Sequence, residues 1–183
     1  DTLRHYHIGI RYLRSIESNP LTLENNMLYL NSNLPNKELK KENITIAVDT
    51  SGSVVLTDTI KEVISLADLF LLDIKCINDD ICKNLTGVSN KRELEFAKYL
   101  SDNNKDIWIR QVLVPGITDH EDDLIKLREF LHSLKTVKKI DILPYHDLGK
   151  FKWTNLGLQY PLEGVRTANS DDVTRAKKIL GLI

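Results

Sequence analysis

Cysteine is nearly absent from this chain, with Cys76 and Cys82 the only two among 183 residues. Two thiols exclude a disulfide scaffold and point to a reducing cytoplasm. The five residues between them match neither a zinc knuckle nor a redox pair, so both read as structural or incidental. His5 and His7 likewise have no obvious partner. An excess of charge is lacking too. The 25 Lys and Arg against 26 Asp and Glu leave a net charge of −1. That gives no electrostatic case for nucleic acid or an anionic membrane as partner. No apolar run has the length of a spanning helix, and no basic-then-apolar leader opens the chain. Neither a Gly-rich phosphate loop nor a Gly-x-Ser-x-Gly elbow occurs. The chain begins at Asp1 rather than Met, a hint of a trimmed or partial product.

What is present is an alternation. A hydrophobic content of 42% and a charged content of 28% describe a globular domain able to bury a core. Four apolar runs each end in a residue able to do chemistry. Ile44 to Val48 runs into Asp49, and Leu69 to Leu72 into Asp73-Ile74-Lys75. Ile107 to Ile109 runs into Arg110, and Ile140 to Tyr145 into His146. Between and after them, helical spacing predicts helices over Thr57–Leu66, Asp79–Leu85, Asn90–Leu100 and Glu121–Leu134. The third should turn Leu94, Ala97 and Leu100 inward, and the fourth Leu124, Leu127, Leu131 and Leu134. Ser170-Asp171-Asp172 reads as an N-cap serine and acidic first turn of a last helix through Leu180. Asp68–Lys75 reads as a strand covered on both faces, Asp106–Val114 as one stopped by Pro115-Gly116, and Lys139–Tyr145 as the next. Strands separated by helices argue for an α/β fold with a parallel sheet. A partial (β/α) barrel and an open doubly wound sheet fit equally. In both, strand C-termini share a rim, so the four run ends are expected to converge.

The first 43 residues read differently. Leu3–Ile16 carries Leu3, Ile10, Leu13 and Ile16 at helical spacing without a clear cap. The Asn-rich stretch from Asn19 to Asn43 favours turns, with a short strand at Met27–Leu30 and a helix at Lys37–Glu42.

Each strand-end motif has two readings. At Asp49-Thr50-Ser51-Gly52 a carboxylate and hydroxyl could hold a cation or a ligand amine. The commoner use of so short a motif is that Asp and Ser cap the next helix while Gly permits the turn. Asp73 and Lys75, two apart in a strand, share a face. They suit a zwitterion such as an amino acid, a salt bridge closing a barrel end, or a Schiff-base lysine lyase. Arg110, with Trp108 on its face, could clamp a carboxylate or pair with Asp73 or Asp49. Tyr145 to Trp153, with His146 near its start, forms a long strand-to-helix connection of the kind that carries function.

Taken together, residues from about Ile44 to Leu180 closely resemble the pyruvate formate-lyase activating enzymes, glycyl-radical activating enzymes of the radical S-adenosylmethionine (SAM) superfamily. The resemblance rests on Asp49-Thr50-Ser51-Gly52, Leu72-Asp73-Ile74-Lys75, Leu85 to Asn90, Leu94 to Ala97, Trp108-Ile109-Arg110, Val114-Pro115-Gly116 and Leu143 to Lys150. Trp153 and Tyr160 to Val165 continue it. It implies a partial (β/α)6 barrel, with 1–43 a divergent or truncated N-terminal segment and 44–183 the C-terminal part of one domain. It implies that Asp73, Ile74, Lys75 and His146 contact SAM, that Asp49, Thr50 and Asp73 match a monovalent-cation site, and that Arg110 lies on the site rim. It implies reductive cleavage of SAM and hydrogen abstraction from a glycine of a partner such as pyruvate formate-lyase, with a flavodoxin-like reductant. The loop from His146 to Trp153 lies where the family receives the glycine-bearing loop.

One departure is large. The family holds a 4Fe-4S cluster on a Cys-x3-Cys-x2-Cys loop, and Cys76 and Cys82 cannot replace it. Its Gly-Gly-Glu-Pro segment is absent, with Asn31 to Pro35 roughly in its place. The reading is therefore a chain that keeps the cofactor half and lacks the cluster half, inactive alone. It is a fragment, a degenerate paralogue that binds a glycyl-radical enzyme without catalysis, or half of a split enzyme, the fragment being preferred.

Overall fold

The computed structural model describes residues 9–13, 40, 41, 43 and 45–183. Their strands are β1 (Gly9–Leu13), β2 (Thr45–Thr50), β3 (Leu69–Asp73), β4 (Asp106–Leu113) and β5 (Val137–Pro144). The helices are α1 (Asp58–Leu66), α2 (Asp79–Thr86), α3 (Lys91–Asp102), α4 (Glu121–His132), α5 (Lys150–Asn155) and α6 (Ser170–Ile179). The strands pair in the order β1-β2-β3-β4-β5, and β2 to β5 form the expected parallel sheet of an α/β fold. The chain divides into two compact units. One comprises Asp1–Asp73, Arg92–Ile109 and Lys135–Lys139, the other Ile74–Lys91, Arg110–Leu134 and Ile140–Ile183.

In the first unit β1 corrects the helix expected over Leu3–Ile16. Residues 9–13 are extended and antiparallel to β2, with Gly9 opposite Asp49 and Leu13 opposite Thr45. Gly9 is a poor helix former, Ile10 and Tyr12 favour extended backbone, and β2 offers an open row of amides and carbonyls. That non-local pairing outweighs a weak helical spacing. The rest of that expected helix and the strand at Met27–Leu30 lie outside the described residues. Lys40 and Lys41 are helical, as expected of Lys37–Glu42. Lys40 donates to Asp68 at 2.5 and 2.6 Å, and Asp68 also accepts from the Ile46 amide at 2.8 Å.

Ile46, Val48, Phe70 and Leu72 from the sheet and Val63, Ile64, Phe96 and Leu100 from helices build the first core. Phe70 and Phe96 meet edge to face, with centroids 6.0 Å apart. On α3 the inward residues are Glu93, Phe96, Ala97, Leu100 and Ser101, whereas Leu94 is half-buried. The expected inner face is thus rotated, because the larger Phe96 ring takes the place against Phe70. Burial along β3 alternates rather than being two-sided: Phe70 and Leu72 are buried, while Leu69, Leu71 and Asp73 are half-exposed.

In the second unit Leu124, Leu127, Leu131 and Leu134 are all buried, as their spacing predicts. Here α4 meets α6, and Arg128 donates to the Ile179 carbonyl at 2.9 Å. Helix α6 is capped by Asn169 rather than Ser170. The Asn169 side chain accepts from the Asp171 and Asp172 amides, and Asp172 closes a capping box. Asn accepts from these amides as well as Ser would, so the cap sits one residue earlier.

Gly52 is the tightest backbone constraint of the first unit. Its φ is +65°, and a Cβ there would lie 2.9 Å from Leu72 Cδ1 and 3.0 Å from Phe96 Cδ1. Left-handed backbone and overpacking each cost about 1–3 kcal/mol. Gly52→Ala is therefore expected to lower unfolding stability by about 2–4 kcal/mol, read as a reduced urea midpoint with an unchanged slope. A change within about 0.5 kcal/mol, the usual range for a surface substitution, would contradict this packing.

Candidate functional site

Two groups of residues end the strands, one in each unit. In the first, Asp49 lies in register with Leu71, and Asp73 stands two residues further along β3. Side chains two apart share a face. The two carboxylates therefore look out from one side of the sheet, with Cα atoms about 8 Å apart from the strand spacing and rise. Both are half-buried. A single cation between them would offset their mutual repulsion.

Thr50 does not share that face. It is buried on the opposite side, where its hydroxyl accepts from the Gly52 amide at 2.9 Å. A cation beside Asp49 could meet Thr50 only through its carbonyl. The capping reading of this motif is corrected as well. The next helix, α1, is capped by Thr57, whose side chain accepts from the Ile60 amide. Asp49 and Ser51 lie too far ahead of α1, leaving Gly52 as the turn residue.

In the second unit the backbone sets Lys75, Arg110 and His146 in sequence across neighbouring strands. The Ile74 amide donates to the Arg110 carbonyl at 3.0 Å, and the Tyr145 amide donates to the Leu113 carbonyl at 3.1 Å. Lys75 is half-buried between the fully buried Ile74 and Cys76. Ile74 is therefore a core residue, and only its main chain could meet a ligand. His146 is exposed just beyond β5. Two strand spacings and a three-residue offset put the Lys75 and His146 Cα atoms about 14 Å apart, a gap suited to a small ligand held from both ends. Arg110 does not end its strand. β4 continues to Leu113 before Val114-Pro115 stops it, so Arg110 sits half-buried inside the sheet, on the same face as Trp108 and Val112. Asp49, Asp73, Lys75 and Arg110 each engage a neighbour.

Several supporting residues carried no assignable role in the sequence. Asn90, buried at the end of Leu85 to Asn90, donates through Nδ2 to the Cys76 carbonyl at 2.9 Å and the Ile77 carbonyl at 2.7 Å. Asp79 accepts from the Ser89 hydroxyl at 2.6 Å and the Asn90 amide at 3.0 Å, and pairs with Lys83 at 2.7 Å. The segment just after Lys75 is thereby clamped from one side. From the other, Gln111 Nε2 donates to the Lys75 carbonyl at 3.2 Å.

The loop after His146 is fastened by the second half of the quoted motif. Tyr145 and Tyr160 share a hydroxyl hydrogen bond of 2.8 Å, and Lys150 meets Glu163 at 2.6 Å. Burial, followed by the Tyr160 contact, raises the Tyr145 phenol well above its usual range. This connection contains a short helix, α5, that was not expected from sequence. Leu148, Phe151, Leu156 and Leu158 around it are exposed.

Among proteins of known sequence and structure, residues 1–128 match the model of the Radical SAM superfamily. A pyruvate formate-lyase 1-activating enzyme of Escherichia coli (strain K12) is 47% identical over 142 residues, 77% of this chain and 58% of that protein. A pyruvate formate-lyase-activating enzyme of Streptococcus mutans is 53% identical over 120 residues, 66% of this chain and 46% of that protein. The chain thus spans about half the length of these curated relatives. A crystal structure of a domain of a pyruvate-formate lyase-activating enzyme from Bacteroides vulgatus superposes with a TM-score of 0.65 at 22% identity. It covers 80% of this chain and 81% of its own, and shows the same fold.

The Asp79 clamp has a pH signature. Its hydrogen bonds from Lys83, then Ser89, hold the carboxyl down at about 2, against about 3.9 in an unfolded chain. A depressed acid stabilises the fold above its unfolded value and loses that contribution as pH falls through its folded value. The urea midpoint of the natural chain should therefore exceed that of Asp79→Asn near neutrality, with the difference shrinking from about pH 4 towards pH 2. A difference independent of pH across that window would show that Asp79 ionisation does not hold the clamp.

Proposed function

Because the chain belongs to the radical SAM superfamily, we propose that its strand-end rim binds SAM in the manner of a pyruvate formate-lyase activating enzyme. The observation that carries this reading is the placement of Lys75 at the end of the β3 segment. It is held half-exposed between two buried residues, with His146 two strands away. A lysine ammonium so held meets a carboxylate such as that of the methionine moiety, and an imidazole across the rim meets the same ligand from the other side. The Ile74 main chain completes that contact. In the first unit, Asp49 and Asp73 hold a monovalent cation, with Thr50 contributing its carbonyl.

In the family an iron–sulfur cluster would supply the electron for reductive cleavage of SAM. The residues of this chain do not fit the cluster. It calls for three thiolates, whereas the sequence holds two cysteines, Cys76 just past β3 and Cys82 within α2, each buried. The role proposed for these residues is therefore to bind and orient SAM. The family reaction, reductive cleavage of SAM followed by glycyl-radical formation, belongs to the proposal only through the family resemblance. On the same ground the partner is a glycyl-radical enzyme such as pyruvate formate-lyase. The exposed Leu148, Phe151 and Trp153 beside His146 suit a protein surface better than water.

Calorimetric titration of SAM tests the reading. The natural chain should bind, and Lys75→Ala and His146→Ala should each weaken binding by roughly tenfold or more, as expected on losing a hydrogen bond to a charged group. Equal affinity in all three, or no binding by the natural chain, would remove the proposal.

A further inference from the structure

Within the second unit, three segments close around a small cavity of about 10 Å³. Asn78 reaches it from the cap of α2 and Gln111 from β4. Thr118 reaches it from the turn before α4, and Asp123 from the first turn of that helix. Ile117 and Leu124 contribute apolar wall. The volume is about that of one water-sized sphere, and a water so enclosed needs two to four polar partners.

The hydrogen bonds around the cavity leave three groups over. Gln111 is 2% exposed, and its Nε2 donates to the Lys75 and Val112 carbonyls, each at 3.2 Å. Those bonds commit the nitrogen to main chain. Oε1 is buried and takes no hydrogen bond from the chain, so it is the end of the amide left for the cavity. Asp123 is 9% exposed. Its carboxylate meets Lys126 at 3.3 Å, and Asn78 Nδ2 only at the limiting distance of 3.5 Å from both oxygens. The Asn78 oxygen is already used, accepting from the Asp80 and Ile81 amides. Thr118 Oγ1 is used as well, donating to the Val112 carbonyl and accepting from the Val114 amide. Two acceptors thus lack a good donor, and one donor lacks a good acceptor. Buried polar groups in that condition are costly unless something pairs with them.

We propose that this cavity is a binding site for one water molecule, which donates to Gln111 Oε1 and Asp123 and accepts from Asn78 Nδ2. Water brings two donors and an acceptor, so each of the three groups is matched. A cation would suit the two oxygens but not the Asn78 N–H beside the same carboxylate. An apolar guest would leave all three unmatched. The bound water ties β4 to the cap of α2 and to the first turn of α4. It also holds the Gln111 amide with Nε2 against the Lys75 carbonyl, which makes Gln111 a positioning residue for the Lys75 main chain. The site does not depend on what Lys75 binds.

The test pairs water–protein nuclear Overhauser effects with oxygen-17 relaxation dispersion of water, without added ligand. It compares the natural chain with Gln111→Met, which keeps the side-chain length and removes the acceptor. In the natural chain the Ile117 and Leu124 methyl groups should show Overhauser effects to a long-lived water. In Gln111→Met those effects should vanish, and the Lys75 carbonyl resonance should shift as it loses its donor. Oxygen-17 dispersion, which hydrogen exchange at the Thr118 hydroxyl does not touch, should count one long-lived water fewer. Should Gln111→Met fail to fold, the natural chain decides alone, by the presence or absence of the methyl effects together with the dispersion. No such effects in the natural chain, or an unchanged water count in a folded Gln111→Met, would overturn the proposal. Sodium-23 relaxation enhanced by the natural chain and not by Gln111→Met would show a cation in the cavity and overturn it too.

Discussion

Parallel strand pairing is the interaction on which the rest depends. A parallel ladder fixes which residue of each strand reaches the carboxyl edge, because every amide is committed to a particular neighbouring carbonyl. In the first unit that commitment sets Asp49 beside Leu71 and leaves Asp73 on the same face. In the second it sets Ile74 against Arg110 and Tyr145 against Leu113. A slip of one residue in either register would turn the polar side chains into the core and the apolar ones out. The placement of Lys75 and His146 is thus a consequence of backbone geometry before any side-chain interaction is considered.

Side-chain clamps then hold what the ladder delivers. Past Asp73 the chain leaves regular strand, and its carbonyls would lack partners without Asn90 and Gln111. Asp79 anchors the Ser89-Asn90 pair to the start of α2. The quoted blocks Leu85 to Asn90 and Tyr160 to Val165 therefore serve as supports for the strand ends. This explains why a motif can be informative about a site while touching none of its ligands.

The parts of the fold that were legible are those in which a local pattern reports a local environment. The leucines of α4 recur at helical spacing because one face packs and the other meets water. The apolar runs of β2 and β3 were visible for the same reason. What was not legible depends on partners distant in sequence. β1 is a strand because β2 offers it an edge, and residues 9–13 carry no strong pattern of their own. Gln111 occupies a buried position in the alternation of β4, and nothing in Ile109-Arg110-Gln111-Val112 marks it as a clamp. At the candidate site, recognition of the family named Asp73, Lys75 and His146. The structure added the facing of Thr50, the burial of Ile74 and the mid-strand position of Arg110.

The central claim is that the strand-end rim of the second unit is a SAM site. Titrating SAM into isotopically labelled chain while following backbone amide resonances tests it most directly. Saturable shifts are expected at Ile74 to Cys76, with a second set at Tyr145 to Asp147. Shifts confined to other parts of the chain, or none at saturating ligand, would contradict it.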